Sequence, residues 1–141
     1  MSTAVLAEEN RRLARLFRVD IWSDLNIADE ISAPDAVFHV DDPLTPELEK
    51  GPEGLKQLIN TYLTAFPDAS CTIDKLVIDG DTVVARWTAT GTHQGNLGTA
   101  PPTGKQIKIT GIEIHRIENG KIQETWINWD TLGMLKQLGI S

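Results

Sequence analysis

The sequence predicts an α+β domain in which N-terminal helices pack in a strongly curved antiparallel β-sheet. Two patterns predict this class. Apolar residues recur at helical spacing up to about residue 66, and from residue 70 onward they follow strand-like runs separated by turn signals. A sheet that encloses helices must bend, which gives a cone-shaped α+β barrel with an open mouth. Polar side chains that point into such a cone are typical of a small-molecule site.

Four helices are expected along the chain. Their approximate ranges are 4–24, 26–32, 51–66 and 130–138. The third helix has the clearest limits, because Gly51-Pro52 places a proline in its first turn and Pro67 stops it. Asp130 either caps the last helix or points into a pocket.

The strands are expected in one short run before the third helix and in a long meander after it. The runs are residues 36–40, residues 70–79, residues 82–93 and the two arms of a hairpin between Ile107 and Asp130. Gly80-Asp81 and Asn119-Gly120 are tight hairpin signals, so the strands of the meander should be antiparallel. Residues 94–105, between the hairpins, are rich in glycine and proline and suit a flexible flap.

Size and composition indicate one soluble domain over residues 1–141. A chain of 141 residues with 40% hydrophobic content can bury a core of its own but leaves no room for a second domain. No apolar run approaches the roughly 18 residues that cross a bilayer, and the N-terminus turns acidic too early for a signal peptide. We therefore expect a cytoplasmic protein without a membrane partner.

The charge pattern argues against a nucleic-acid partner, because the formal net charge is −7 and phosphate contacts need clustered Lys and Arg. Arg11, Arg12, Arg15 and Arg18 lie along one sector of the first helix and are interpreted as a solvated face. Cys71 is expected to pack as a small hydrophobe. Three histidines without close spacing do not indicate a metal site.

Glu113 and His115 are the ionisable residues that a purely structural strand would not carry. They lie two apart between Ile109 and Ile117, so all four side chains leave the same face of the strand. A buried carboxylate must be paired, protonated with a raised pKa, or exposed to a cavity. Glu113 is therefore a candidate general acid or base, while His115 either lines the same pocket or caps the broad end of the cone.

The register of the last hairpin decides what shares the face of Glu113. If the loop is Asn119-Gly120 alone, Glu113 pairs with Trp126 and shares a face with Asn128 and Asp130. If the loop is residues 118–120 with a bulge, Glu113 pairs with Thr125 and shares a face with Ile127 and Trp129. The sequence leaves both registers open.

Several segments carry a family resemblance. They are Gly51-Pro-Glu-Gly-Leu55 with Ala65-Phe-Pro-Asp68, Val84-Ala-Arg-Trp-Thr-Ala-Thr-Gly-Thr-His-Gln-Gly95, Pro101-Pro-Thr-Gly104, and Asn119-Gly-Lys-Ile122 with Trp129-Asp130 and Leu135-Lys-Gln-Leu-Gly139. In this order and spacing they resemble the SnoaL-like polyketide cyclases, or ester cyclases, of the nuclear-transport-factor-like cone superfamily. The resemblance covers nearly the whole chain. It implies a pocket enzyme that needs no cofactor and a homodimer formed through the outer face of the sheet.

The resemblance also implies site residues. Founding members close a ring by an intramolecular aldol step, with an acid/base aspartate on the last strand and a histidine on the strand before it. Without a gap, the histidine position falls on Glu113 and the aspartate position on Ile127. A one-residue shift that matches Trp129 moves the aspartate position to Asn128. Neither position holds an aspartate here, and Asp130 can substitute only in the first register.

Two other histidines match family positions. His39 corresponds to a position that lines the cavity in many relatives, the alternative being a hydrogen-bonded core histidine. His93 precedes the flap and matches a recurrent family histidine, for which a structural hydrogen bond across the flap is the alternative.

The four tryptophans suit flat walls for an aromatic ligand, although tryptophans also serve as core or dimer contacts. They are Trp22, Trp87, Trp126 and Trp129. Trp87 is the preferred wall, because strand alternation groups it with Val83, Ala85 and Ala89 on an apolar face.

We therefore predict a domain that binds a small apolar compound bearing a carbonyl group and transfers a proton next to that carbonyl, in a cyclisation or isomerisation. Glu113 and His39 would polarise the substrate, with help from Asn128 or Asp130. Hydration, epoxide opening or hydroxylation in the same pocket is one alternative, because the fold does not fix the reaction. A non-catalytic ligand carrier or dimerising module is the other.

Overall fold

The structure is a computed structural model that describes residues 2–140. Its α-helices are α1 (Thr3–Arg18), α2 (Ile27–Ile31), α3 (Pro52–Ala65) and α4 (Thr131–Leu138), and a 3-10 turn, Asp20–Trp22, follows α1. Its strands are β1 (Ser32–Val40), β2 (Ser70–Asp79), β3 (Thr82–Thr92), β4 (Gln106–Glu118) and β5 (Lys121–Trp129). The α+β class is confirmed, with the helices packed on one face of the sheet. We call that face inner and the opposite face outer.

The five strands form one sheet in the order β1-β5-β4-β3-β2. The meander from β2 to β5 is antiparallel as predicted. β1 pairs parallel with β5, so the sheet is mixed and not purely antiparallel. The parallel pair arises because α3 and three strands separate β1 from β5 in the chain, which leaves room for a crossover. β1 and β2 remain the two edges of the sheet, and the barrel is not closed.

The first helix is shorter than predicted. It ends at Arg18, and the amide of Ser23 bonds the carbonyl of Asp20 in a 3-10 turn, so the expected helix to residue 24 is wrong at its end. β1 is longer than predicted, since it begins at Ser32 and includes Pro34. Proline is tolerated there because β1 is an edge strand, and its pairing with β5 is irregular between Ser32 and Val37.

α3 and α4 have the limits that the sequence indicates. Pro52 is the first residue of α3, and the helix ends at Ala65, before Pro67. Asp130 is the N-cap of α4: its carboxylate accepts a hydrogen bond from the amide of Gly133 at 2.9 Å. Among residues 2–140, none of the helices combines the length and the hydropathy that crossing a bilayer requires.

The segment predicted to be a flexible flap is anchored to the core. Leu97 is buried, and a short bridge joins it to Ala100. The amides of Gln94 and Gly95 both donate to the carbonyl of Ala65. A side chain at Gly95 would meet the backbone of α3 at an impossible distance, which explains the glycine.

The β4–β5 hairpin has a register that neither sequence alternative gave. Its loop is Asn119-Gly120, as in the first alternative, because Glu118 pairs with Lys121. A bulge then places the extra residue Gln123 in β5. Glu113 consequently pairs with Ile127, and the inner face of β5 carries Ile127 and Trp129, as in the second alternative.

Candidate small-molecule site

A cavity lies between the helices and the inner face of the sheet. The space between its walls, counted out to the open solvent, is about 640 Å³. The volume that a water-sized sphere can occupy inside it is about 70 Å³, smaller than the roughly 300–1,000 Å³ of typical ligand pockets. Most of the lining is aliphatic or aromatic, and the aromatic walls are Trp22, Tyr62, Phe66, Trp87 and Trp129. The cavity therefore suits a largely apolar ligand with flat ring surfaces.

Arg18 is the charged residue of the cavity lining. Its Nε donates to one oxygen of Glu113 at 3.2 Å, and its Nη2 donates to the other. The side chains of Arg18 and Glu113 are 6% and 0% exposed. Glu113 does not itself line the cavity, whereas Arg18 does. The Glu113 carboxylate thus faces inward as expected, but the group that lines the cavity is the Arg18 guanidinium.

Burial by itself raises the pKa of Glu113. The electrostatic interactions and hydrogen bonds with Arg18 and His115 lower this pKa by more, so the net shift is downward. Burial lowers the pKa of Arg18, and the Glu113 carboxylate more than reverses this effect. Both groups are therefore ionised at neutral pH. A carboxylate with a lowered pKa and a bound guanidinium is a weak base, which removes the basis for Glu113 as the general base.

His115 extends this pair away from the cavity. Its Nε2 lies 3.3 Å from a Glu113 oxygen, and its Nδ1 lies 2.8 Å from the hydroxyl of Thr125. The ring is fully buried and meets Phe17 edge to face, with ring centroids 4.5 Å apart. His115 does not line the cavity, so its contacts support Glu113 from behind.

Trp87 packs between Arg18 and the sheet. The guanidinium carbon of Arg18 lies 4.0 Å from the centre of the Trp87 ring, a cation–π contact. A Cβ at Gly111, the cross-strand neighbour of Trp87, would lie 2.2 Å from the indole, so glycine is required beneath the ring. The Trp87 Nε1–H is buried without a hydrogen-bond partner among residues 2–140. A buried donor without a partner is uncommon in folded proteins.

A second polar cluster, which we call the Asp42 cluster, lies behind two other cavity walls. The Asp42 carboxylate accepts hydrogen bonds from the Tyr62 hydroxyl at 3.1 Å and from Trp129 Nε1 at 3.1 Å. The hydroxyl of Thr45 donates to Asp42 at 2.5 Å and lies 2.7 Å from the Tyr62 oxygen. Burial, the largest cause, raises the pKa of Tyr62, so its phenol stays protonated.

Three predicted site residues lie on the outer face of the sheet. His39 is exposed on β1 and bonds Glu124 at 2.7 Å, stacking beside Trp126, which is 39% exposed. Asn128 is exposed as well. The expectation that these side chains face the pocket is wrong, because the bulge in β5 turns the even-numbered residues outward and His39 pairs with Trp126 on that face.

The other predicted residues, apart from Asp130, are buried or line the cavity. Trp22, Trp87, Trp129 and Ile127 are in the lining. Asp130 caps α4 and is exposed. His93 is buried beneath the flap, where its Nδ1 accepts from the amide of Thr103 at 3.2 Å, which is a structural hydrogen bond. Cys71 lines the cavity, and burial raises the pKa of its thiol.

The sequence reasoning missed Arg18, Asp42 and Tyr62. The charge of Arg18 favours a solvated face, yet Arg18 belongs to the buried stripe of α1, whose members are Asn10, Leu13, Ala14, Phe17 and Arg18. Their spacing of three and four residues was visible in the sequence and is the signal that could have found Arg18. Asp42 lies in a turn-rich segment and gave no such signal. Within residues 2–140 no group of three or more His, Cys, Asp or Glu is arranged to hold a metal ion.

The sequence and the fold were compared with known proteins. The SnoaL-like polyketide cyclase family matches residues 12–138. TsrD of Streptomyces laurentii is 28% identical with a TM-score of 0.83, covering 100% of this chain and 99% of that one. A proposed polyketide cyclase of Acidithiobacillus ferrooxidans is 30% identical with a TM-score of 0.81, covering 99% and 98%. IdmH of Streptomyces antibioticus, another proposed polyketide cyclase, is 31% identical with a TM-score of 0.77, covering 93% and 98%. No protein of curated function matches the sequence.

Proposed function

Because this chain belongs to the SnoaL-like polyketide cyclase family, we propose that it binds a small apolar carbonyl compound and catalyses a cyclase-type reaction that passes through an enolate. The observation that carries the proposal is Arg18, a buried guanidinium in a cavity whose other walls are mostly apolar. A fixed cation in such surroundings stabilises the negative charge that develops on a carbonyl oxygen when the neighbouring carbon loses a proton.

The hydrogen bonds of Arg18 support this role. Its Nε and Nη2 are engaged by Glu113, and the guanidinium also interacts with the Cys71 thiol, while its Nη1 donates to no oxygen or nitrogen atom within residues 2–140. The Nη1–H groups are therefore available to a substrate oxygen. In this proposal Glu113 is a positioning residue: it keeps the guanidinium charged and fixes its plane.

A ligand carrier is the second candidate, and one observation favours it. No carboxylate or imidazole is among the residues that line the cavity in the described part of the chain. A carrier needs no proton acceptor, whereas a cyclase must have one or use a basic group of the substrate.

Deuterium exchange separates the two candidates. With 2-tetralone as the probe and an imidazole buffer in D₂O as the proton acceptor, an enolising enzyme should accelerate exchange of the hydrogens next to the carbonyl, which NMR follows. The double variant Arg18→Met/Glu113→Gln removes both charges of the buried pair. It should lower the exchange rate by about 10²-fold or more, as for other oxyanion-stabilising groups, while calorimetry still detects binding.

Arg116→Met is the matched control, because Arg116 is an arginine of the outer face that also pairs with a glutamate. It should leave the exchange rate unchanged. If the wild-type protein binds 2-tetralone without accelerating exchange, the carrier is correct and the enzyme proposal is wrong.

We also propose that two copies associate through the outer face of the sheet. Apolar side chains there form a row of cross-strand neighbours, Trp126, Ile114, Val84 and Val77. Three of them are 39–49% exposed. The salt bridges Arg116–Glu124 and Arg86–Asp74 place both signs of charge on the same face, which suits a self-complementary two-fold contact.

Light scattering after gel filtration tests the association. Ile114→Arg should convert a dimer into a monomer, and Leu132→Arg, at an exposed position of α4, should not. A wild-type protein that is monomeric at about 100 μM, above the Kd of a stable homodimer, would contradict the proposal.

A further inference from the structure

The hydroxyl protons of the Asp42 cluster are used within the cluster. A carboxylate can only accept, and Asp42 contacts the hydroxyls of both Tyr62 and Thr45. The hydroxyl oxygens of Tyr62 and Thr45 also lie 2.7 Å apart, so one of these two hydroxyls donates a hydrogen bond to the other. In every arrangement that satisfies these contacts, the single phenolic proton of Tyr62 is used within the cluster.

The indole protons of the two tryptophans Trp129 and Trp22 are also engaged in hydrogen bonds within the protein. The indole N–H of Trp129 is its only donor, and it is given to Asp42 at 3.1 Å. The indole N–H of Trp22 is given to the backbone carbonyl of Arg18 at 2.8 Å. Tyr62 is a residue of the cavity lining, and with its proton engaged its oxygen keeps only lone pairs for hydrogen bonding. On the other side of the cavity, the Arg18 guanidinium can only donate hydrogen bonds.

From this polarity we infer that Asp42 is a positioning residue that makes the Tyr62 oxygen a hydrogen-bond acceptor, so the cavity selects ligands with a hydroxyl or enol donor at the Tyr62 end. The inference rests on the proposed function, because it assumes an apolar ligand between Tyr62 and Arg18. It adds a second recognition point to that function: a carbonyl oxygen at the guanidinium and a donor at the phenol.

Paired probes test the inference. 2-Naphthol and 2-methoxynaphthalene share a ring system, but only the first can donate a hydrogen bond. Calorimetry on the wild-type protein should give about tenfold tighter binding of 2-naphthol, which is the value of one good hydrogen bond. Tyr62→Phe should reduce the ratio of the two affinities to less than twofold.

Asp42→Asn gives the more specific result. The asparagine amide can donate to the Tyr62 oxygen, which frees the phenolic proton to point into the cavity. The preference for 2-naphthol should then fall at least threefold or reverse toward the methoxy compound. A role confined to folding would change both affinities together and leave their ratio intact, so an unchanged ratio in a folded Asp42→Asn protein overturns the inference.

Thr90→Val is the control, since Thr90 carries the other hydroxyl of the lining and makes no contact with Asp42. It should keep the wild-type ratio. If both probes bind the wild-type protein equally well, the inference is wrong and the apolar pocket stands. If neither probe binds, the proposed function fails together with it.

Discussion

Two regions of this protein contain the same three residue types in contact, on opposite faces of one sheet. The inner trio is Arg18, Glu113 and His115, and the outer trio is Arg116, Glu124 and His39. Side-chain exposure is 0–6% in the inner trio and 26–42% in the outer trio. The chemistry is alike, so the difference between the two regions isolates the effect of water.

Water screens the outer trio and competes for its hydrogen bonds, so each of its ion pairs contributes little to folding. The inner trio has no such screening, and each charge there depends on its partner. For the same reason only the inner guanidinium can act strongly on a ligand. The location of the trio, and not its composition, makes it a candidate functional group.

The largest change in the free energy of unfolding is expected for Arg18→Met. This change leaves the Glu113 carboxylate buried without its cation and should reduce the free energy of unfolding by about 3–5 kcal/mol. Arg116→Met should cost about 0–1 kcal/mol, because its pair is half exposed. Urea denaturation at pH 7 measures both. Equal costs for the two variants would remove the distinction between the faces.

The stability cost of Glu113→Gln should depend on pH. The folded-state pKa of Glu113 is lowered from 4.5, so the ionised group stabilises the fold above pH 4.5, and this stabilisation is lost as the pH falls below that value. The difference in unfolding free energy between wild type and Glu113→Gln, about 3 kcal/mol at pH 7, should therefore shrink in acid. A difference that grows below pH 4.5 would show that the sign is wrong.

The double variant Arg18→Met/Glu113→Gln sharpens the comparison. Removing both charges should cost at least about 2 kcal/mol less than the sum of the two single changes, because neither charge is left unpaired. Additive costs would mean that the two residues stabilise the fold independently. The same denaturation series provides the measurement.

The smallest effect is expected for His39→Ala. Its ring lies on the outer face against Trp126, and the change in unfolding free energy should stay within about 0.5 kcal/mol. Deuterium exchange with 2-tetralone should be unaffected, in contrast to Arg18→Met/Glu113→Gln. A strong loss of exchange in His39→Ala would restore this histidine as a site residue.

The sequence was a good guide where a feature depends on local patterns. The limits of α3 follow from Pro52 and Pro67, and the inward direction of Glu113 follows from strand alternation with Ile109 and Ile117. These features need only the period of the helix or strand and the chemistry of proline.

The sequence was a poor guide where a feature depends on pairing between distant segments. Arg18 precedes Glu113 by 95 residues in the chain, and its charge alone favours a position exposed to solvent. Asp42 meets Trp129 across 87 residues. The bulge at Gln123 leaves no local sign, yet it decides which side chains of β5 face the cavity.

That bulge has a consequence for redesigning the cavity. Deleting Gln123, the unpaired residue, would close the bulge and leave every later pair of β5 with β4 as it is, so Ile127 and Trp129 would keep their inward direction. Pairing Gln123 with Arg116 in a strand of unchanged length would instead shift the register by one residue and turn Trp126 and Asn128 inward. The spare residue therefore decides which set of side chains lines the cavity.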